Sequence, residues 1–153
     1  MPEVKTLERA HRDEEQGKSP STQAGEFVRE EIEHIREGKH GARSSKQAIA
    51  IGLSKARRAG VKLAPPKEGR QPSSVRKRAA SDLRKGAAPA STKAPSRTRS
   101  RATEKALKRE GHSAASRPAL ARQARASASK RGAAARQAAG RKAAATRKRA
   151  RRA

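Results

Sequence analysis

The chain has 153 residues with 40 Lys or Arg against 14 Asp or Glu, a formal net charge of +26 that points to polyanions as partners. Leu, Ile, Val and Phe number 15, about a tenth of the chain and below the roughly 20% under which a highly charged chain is expected to be disordered. The absence of cysteine excludes disulfides and thiolate metal sites and fits a reducing cytoplasm.

Nine of those 15 large apolar residues lie between positions 27 and 63, so one small folded unit is expected there. The longest apolar run, Ala48 to Ile51, is far short of the roughly 18 residues that cross a bilayer, and neither a signal peptide nor a membrane partner is expected. Residues 1–21 read as a weak helix and a linker. In VKTLERAHRDEE, residues 4–15, Val4, Leu7 and Ala10 recur at three-residue steps and give a marginal helix one weak apolar edge. Gly17 to Thr22 follows as a linker by its turn chemistry, with Ser21 or Thr22 able to cap the next element.

From about Gln23 to Glu37, Ala24, Phe27, Val28, Ile32 and Ile35 recur at i, i+3, i+4, i+8 and i+11. Arg29, Glu30, Glu31 and Glu33 take the other face, and the pattern predicts an amphipathic helix. Ser44 is a good N-cap with Gln47 three residues later, and opens a second helix whose stripe runs through Ile49, Leu53 and Ala56. Gly60 can end it in the left-handed conformation with Val61 back on Ala56, and Pro65 and Pro66 bar continuation. Joined through Gly38 to Gly41, the two helices predict a hairpin over residues 22–64, with Ile49 and Leu53 facing Phe27, Val28, Ile32 and Ile35. Roughly 40 residues is small for an independent core, so a homodimer through this hairpin, or a bound partner, is expected to complete it.

Residues 65–98, punctuated by Pro65, Pro66, Pro72, Pro89 and Pro95, predict a disordered linker in which SSVRKRAASDLRKG forms helical turns only transiently. Residues 99–153 read as a basic low-complexity tail. Within it SRATEKALKREG is a helical candidate with almost nothing to bury, and residues 111–153 hold 17 alanines, 13 Lys or Arg and no acid. Repulsion between like charges opposes the helix propensity of Ala and Arg, so the tail is expected to be helical at most transiently until a polyanion neutralises it. The expected fold class is therefore mostly α: a small N-terminal helical hairpin with a long disordered, Ala/Arg/Lys-rich C-terminal tail.

Residues 65–153 carry 27 basic and 4 acidic side chains, against 13 and 10 in residues 1–64, so the binding charge is expected in the C-terminal part. The candidate DNA contacts are Arg76, Lys77 and Arg78, then Arg97, Arg99, Arg101, Lys108 and Arg109, then Arg122, Arg125, Lys130, Arg131 and Arg136. Arg141, Lys142, Arg147, Lys148, Arg149, Arg151 and Arg152 complete the set. Such a chain condenses on a phosphate backbone by releasing counterions, which needs no fixed geometry. Phe27, on the apolar stripe, is the one aromatic side chain, so no base-stacking platform exists and duplex DNA is favoured over single strands.

His34 and His40 with Glu30, Glu33 and Glu37 lack a metal-ligand spacing and read as surface or edge groups, so no metal and no cofactor is expected. Ser54 and the tail serines have no partnered base and no glycine-rich phosphate loop follows a strand, so neither an enzyme nor a small-molecule substrate is expected. The helix after Ser44 carries Lys55, Arg57 and Arg58 but opens on alanine and isoleucine. A recognition helix presents its N-terminal residues to the groove, so packing is the expected use.

The stretch HIREGKHGARSSKQAIAIGLSKARRAGVKL, with its GKHG-x-R-x-x-KQAIAIGLS core, resembles a family of small basic bacterial proteins, some labelled DNA-binding or histone-like, over residues 20–64. RATEKALKREG, SAAS and the Ala/Arg-rich tail resemble the rest of the same family, and the tail is similar in composition to bacterial linker-histone-like proteins. The resemblance implies a nucleoid-associated, DNA-binding role with no catalytic or ligand residues to carry over. A nucleoid-associated, histone-like protein binding duplex DNA largely non-specifically is the expected function, in the cytoplasm at the nucleoid. The alternatives are an RNA- or ribosome-associated basic protein, or a scaffold that docks a protein through the hairpin and is localised by its tail.

Overall fold

A computed structural model describes residues 1–88 and 96–151. Among the described residues the regular elements are helices: α1 (Val4–Glu15), α2 (Pro20–Arg36), α3 (Ser45–Arg58), α4 (Ser73–Ala87), α5 (Arg97–Lys108), a 3-10 turn (Ser113–Ala115), α6 (Arg117–Ser129) and α7 (Gly132–Ala150). The chain divides into two compact units, Met1–Ser116 and Arg117–Ala153. No helix of the described residues is long and apolar enough to cross a membrane.

The expected long disordered tail is overturned. Four helices, α4 to α7, occupy the part of the chain read as linker and low-complexity tail, and of that linker only residues 89–95 lie outside the described residues. Repulsion on a helix acts between neighbours three and four apart and not through the sum of the charge. In α7 nine of the 19 residues are alanine. Its cations Arg136, Arg141, Lys142, Arg147, Lys148 and Arg149 have no cation at i±3 or i±4 within the helix, so alanine's propensity prevails.

In unit one α2 is the central helix, in contact with α1, with α3 and with the 3-10 turn. Phe27 and Ile35 are fully buried, and Phe27 clusters with Ala10, Ala24, Ala56 and Val61, with Leu53 and Leu63 packed at the margin. The expected stripe of α3 is displaced by one position. Ala48, Gly52 and Ala56, not Ile49 and Leu53, are the buried row, and Ile49 and Leu53 are half-buried. Small side chains let α3 lie close on α2, and a Cβ built on Gly52 would stand 2.6 Å from Val28 Cα. The same displacement occurs in α1, where Thr6, Ala10 and Asp13 are buried and Val4 and Leu7 are exposed. Helix contact here is decided by closeness of approach, which a pattern of large apolar residues does not report.

The ends of α3 follow the sequence. Ser44 Oγ accepts from the Gln47 amide at 3.3 Å and Gln47 Oε1 accepts from the Arg43 amide at 2.9 Å. Gly60 takes φ +100°, and the Val61 amide donates to Ala56 O at 3.1 Å. α2 begins earlier than expected, because Pro20 at the first helical position needs no amide partner and Ser19 is the flanking residue.

Unit one is closed by a segment distant in sequence. The Gly41 amide donates to Leu107 O at 3.0 Å and the Ala42 amide to Gly111 O at 3.1 Å. Arg36 Nε donates to Ala115 O at 2.9 Å and Ser45 Oγ to Ala114 O at 2.6 Å. Residues 107–115 thus strap the corner between α2 and α3, and Ala114 and Ala115 of the strap are themselves buried. α4 joins α3 on another side, where Ser54 Oγ donates to Asp82 Oδ2 at 2.7 Å.

Unit two consists of α6 and α7, separated by a turn at Lys130 and Arg131. Arg136 Nη1 donates across that turn to Ala128 O at 3.4 Å. Every described side chain of α7 is exposed.

Candidate functional site

The candidate cations are distributed over both units. On α4, Lys77 and Arg78 are exposed, while Arg76 is half-buried and pairs with Glu68 Oε1 at 2.9 Å. On α5, Arg97, Arg99 and Arg101 are exposed, as is Arg109 just beyond it. Arg97, Arg101, Lys105 and Lys108 recur at i, i+4, i+8 and i+11, which places them on one side of the helix. Lys108 Nζ lies 2.8 Å from Glu104 Oε1, and its hydrogen bond holds the Glu104 carboxyl below the usual carboxylate range.

Arg122 and Arg125 are exposed on α6, and Lys130 and Arg131 in the turn that follows. Arg136, Arg141, Lys142, Arg147, Lys148 and Arg149 are exposed on α7, and Arg151 just after it. Arg152 lies outside the described residues. Unit two, residues 117–153, carries 13 Lys or Arg and no carboxylate, so its own sequence holds no acid to neutralise them. At about 100° per residue, Arg136 and Arg147 share one azimuth of α7, Arg141 and Lys148 a second, and Lys142 and Arg149 a third. This helix has no apolar stripe and presents charge in every direction.

Two cations of α3, Lys55 and Arg57, serve the fold, while Lys46 and Arg58 are exposed. Arg57 is buried, and its guanidinium donates from Nε to Leu63 O at 3.0 Å, and from Nη1 and Nη2 to Leu53 O and Ala64 O at 3.5 Å each. Burial pushes its pKa down, against the opposing pull of Asp82. Lys55 Nζ lies 2.7 Å from Glu31 Oε2 and 3.4 Å from Glu30 Oε1.

Glu30 and Glu31, which the amphipathic reading puts on the solvent face, are buried. The reason is that α2 is covered by α1, α3 and the 3-10 turn, so its acidic face is not left to water. Glu30 Oε2 accepts from the Glu3 amide at 3.1 Å. Around Glu31 stand His34, one turn on, and His40 in the connection to α3. His34 Nε2 lies 2.8 Å from Glu3 Oε1, and the two imidazole rings meet edge to face with centroids 6.3 Å apart. The hydrogen bond from His34 first, and that from Lys39 next, hold the Glu3 carboxyl below the usual carboxylate range. Sequence reasoning grouped His34 and His40 with the wrong glutamates. Helical spacing alone does not single out Glu31, since Glu30 four residues before His34 and Glu37 three after it share that side as well.

Residues 17–68 match a family of unknown function, DUF6496. That match covers α2, α3 and the connections on either side, including Glu31, His34 and His40, and ends before α4 and the strap. No curated protein and no solved structure gives a significant match to the chain.

Proposed function

We propose that this chain is a histone-like, nucleoid-associated protein that binds duplex DNA through phosphate contacts, largely without regard to sequence. The observation that carries the proposal is α7 with its flanks: a 19-residue alanine-rich helix with exposed cations at all azimuths, in a unit that contains no acid. A helix charged on one side can touch one strand, whereas one charged all round can touch the phosphates on both walls of a groove. Alanine between the cations keeps the helix narrow and contributes no hydrogen-bonding group to read bases. Phe27, the one Phe, Tyr or Trp of the chain, is 1% exposed in unit one, so none of those rings is presented to an unpaired base, which favours duplex over single strands.

The test is a salt titration of the full-length protein on duplex DNA and on structured RNA of equal length. If 6 to 10 phosphates are neutralised, affinity for duplex falls by roughly 10³ to 10⁵ between 50 and 200 mM salt. A flat dependence overturns the proposal. Tighter binding to the RNA at every salt concentration replaces it with an RNA-associated role.

A further inference from the structure

The acidic corner at the end of α2 carries a second reading, independent of the cations. Glu31 is 0% exposed, and neither carboxylate oxygen receives a directed hydrogen bond, although Lys55 Nζ stands 2.7 Å from Oε2. A buried carboxylate is ordinarily satisfied by several donors. One ring nitrogen of His34, one of His40 and a carboxylate oxygen of Glu31 lie within 4.8 Å of one another.

The tautomer of His40 sharpens the point. Its Nδ1 lies 3.1 Å from Gly41 O, which can only accept, so in the neutral ring Nδ1 holds the proton and Nε2 presents its lone pair. That lone pair is 3.4 Å from Glu31 Oε1, so with the neutral ring two acceptors face each other in a buried place, a conflict that a proton or a metal ion between them relieves. A tetrahedral Zn²⁺ with bonds of about 2.1 Å spaces neighbouring ligand atoms about 3.4 Å apart.

We propose that Glu31, His34 and His40 bind one Zn²⁺ per chain. Two imidazoles and a carboxylate are a nitrogen–oxygen set suited to Zn²⁺, and Glu31 and His34 supply it from one side of a helix at i, i+3. Outer partners of the kind that orient metal ligands are in place: Gly41 O on His40, Glu3 Oε1 on His34 and Lys55 on the second oxygen of Glu31. The fourth position falls to water. The role is structural, fixing the connection between α2 and α3 and, through Glu3, the start of α1.

Full-length protein freed of metal by chelation is titrated with Zn²⁺ alone by calorimetry, and with Co²⁺ by absorption. One equivalent binds, Co²⁺ gives the intense visible bands of a tetrahedral site, and Zn²⁺ raises the melting temperature. Glu31→Gln and His40→Ala each weaken Zn²⁺ by roughly 10- to 100-fold or more, as loss of even an outer partner does, and abolish the thermal shift. His11→Ala, on α1 and outside the cluster, changes neither. Circular dichroism establishes that each variant keeps its helix, and His40→Gln replaces His40→Ala if the latter does not. Zn²⁺ binding of equal strength in wild type and in a folded ligand variant, or no stoichiometric uptake by wild type, overturns the site.

Discussion

Gly52 of α3 lies against Val28 of α2 so closely that a Cβ at Gly52 would stand 2.6 Å from Val28 Cα, 2.9 Å from its amide nitrogen and 3.0 Å from Phe27 O. All three are backbone atoms and cannot rotate away. In an exposed helix interior, Gly to Ala gains about 1 kcal/mol of propensity. At position 52 the overpacking cost, about 1–3 kcal/mol or more, outweighs that gain because one helix has to move off the other. Gly52→Ala therefore lowers the urea midpoint of the full-length protein. Gly140→Ala, where nothing lies within 4 Å in α7, raises helix content by circular dichroism.

Arg57 offers a test of whether α3's charge is structural. Its three hydrogen bonds to Leu53, Leu63 and Ala64 carbonyls tie the exit of α3 to the chain beyond it. Arg57→Met keeps the stem and loses the fork. Hydrogen bonds to a charged group contribute about 1.5–3 kcal/mol, so a stability loss of that order is expected in denaturant titration. The slope of DNA affinity against salt is expected to stay where it was.

Lys55 is the cation that the buried Glu30 and Glu31 share. Removing one partner of a buried ion pair leaves a charge without compensation and costs about 3–5 kcal/mol. Lys55→Met measured with chelator present is expected to lose that much, a large part of the roughly 5–15 kcal/mol of a small protein. Lys55→Met with Glu30→Gln and Glu31→Gln recovers part of the loss. A triple variant no more stable than the single one would show that packing of the lysine stem, not charge, sets the cost.

For α7, Arg147→Ala with Lys148→Ala and Arg149→Ala removes three exposed cations and installs the best helix former at each. Helix content is expected to hold or rise while the salt slope on duplex DNA falls by about 2.7, at about 0.9 per phosphate contact. An unchanged slope would place the contacts on Arg136, Arg141 and Lys142 or on α4, α5 or α6.

Much of unit one is legible in its residues. Ser44, Gln47, Gly60 and the two prolines fix the ends of α3 because capping is local chemistry. Which face of a helix is buried is not local. The rows Ala48–Gly52–Ala56 and Thr6–Ala10–Asp13 are chosen by how near a neighbouring backbone can come, and that neighbour lies elsewhere in the chain. Glu31 follows the same logic: its burial depends on α1 and α3 both covering α2, which no periodicity within α2 can state. Helix α7 is masked by net charge, because its cations avoid one another at i±3 and i±4, whereas α5 forms although Arg97, Arg101, Lys105 and Lys108 stand at those spacings.

The strap at residues 107–115 means that the unit recognised by sequence similarity and the unit that folds are different objects. The family match ends at residue 68, yet the Gly41 and Ala42 amides, the Arg36 guanidinium and the Ser45 hydroxyl find their acceptors on carbonyls between Leu107 and Ala115. Those acceptors are main-chain atoms, so the side chains of the strap other than the buried Ala114 and Ala115 can vary without erasing its grip. A fragment cut at residue 68 exposes that corner to water, and loop closure across more than sixty residues makes the strap a late event in folding. During synthesis, the Gly41 and Ala42 amides, the Arg36 guanidinium and the Ser45 hydroxyl therefore remain in water until residues 107–115 have been made.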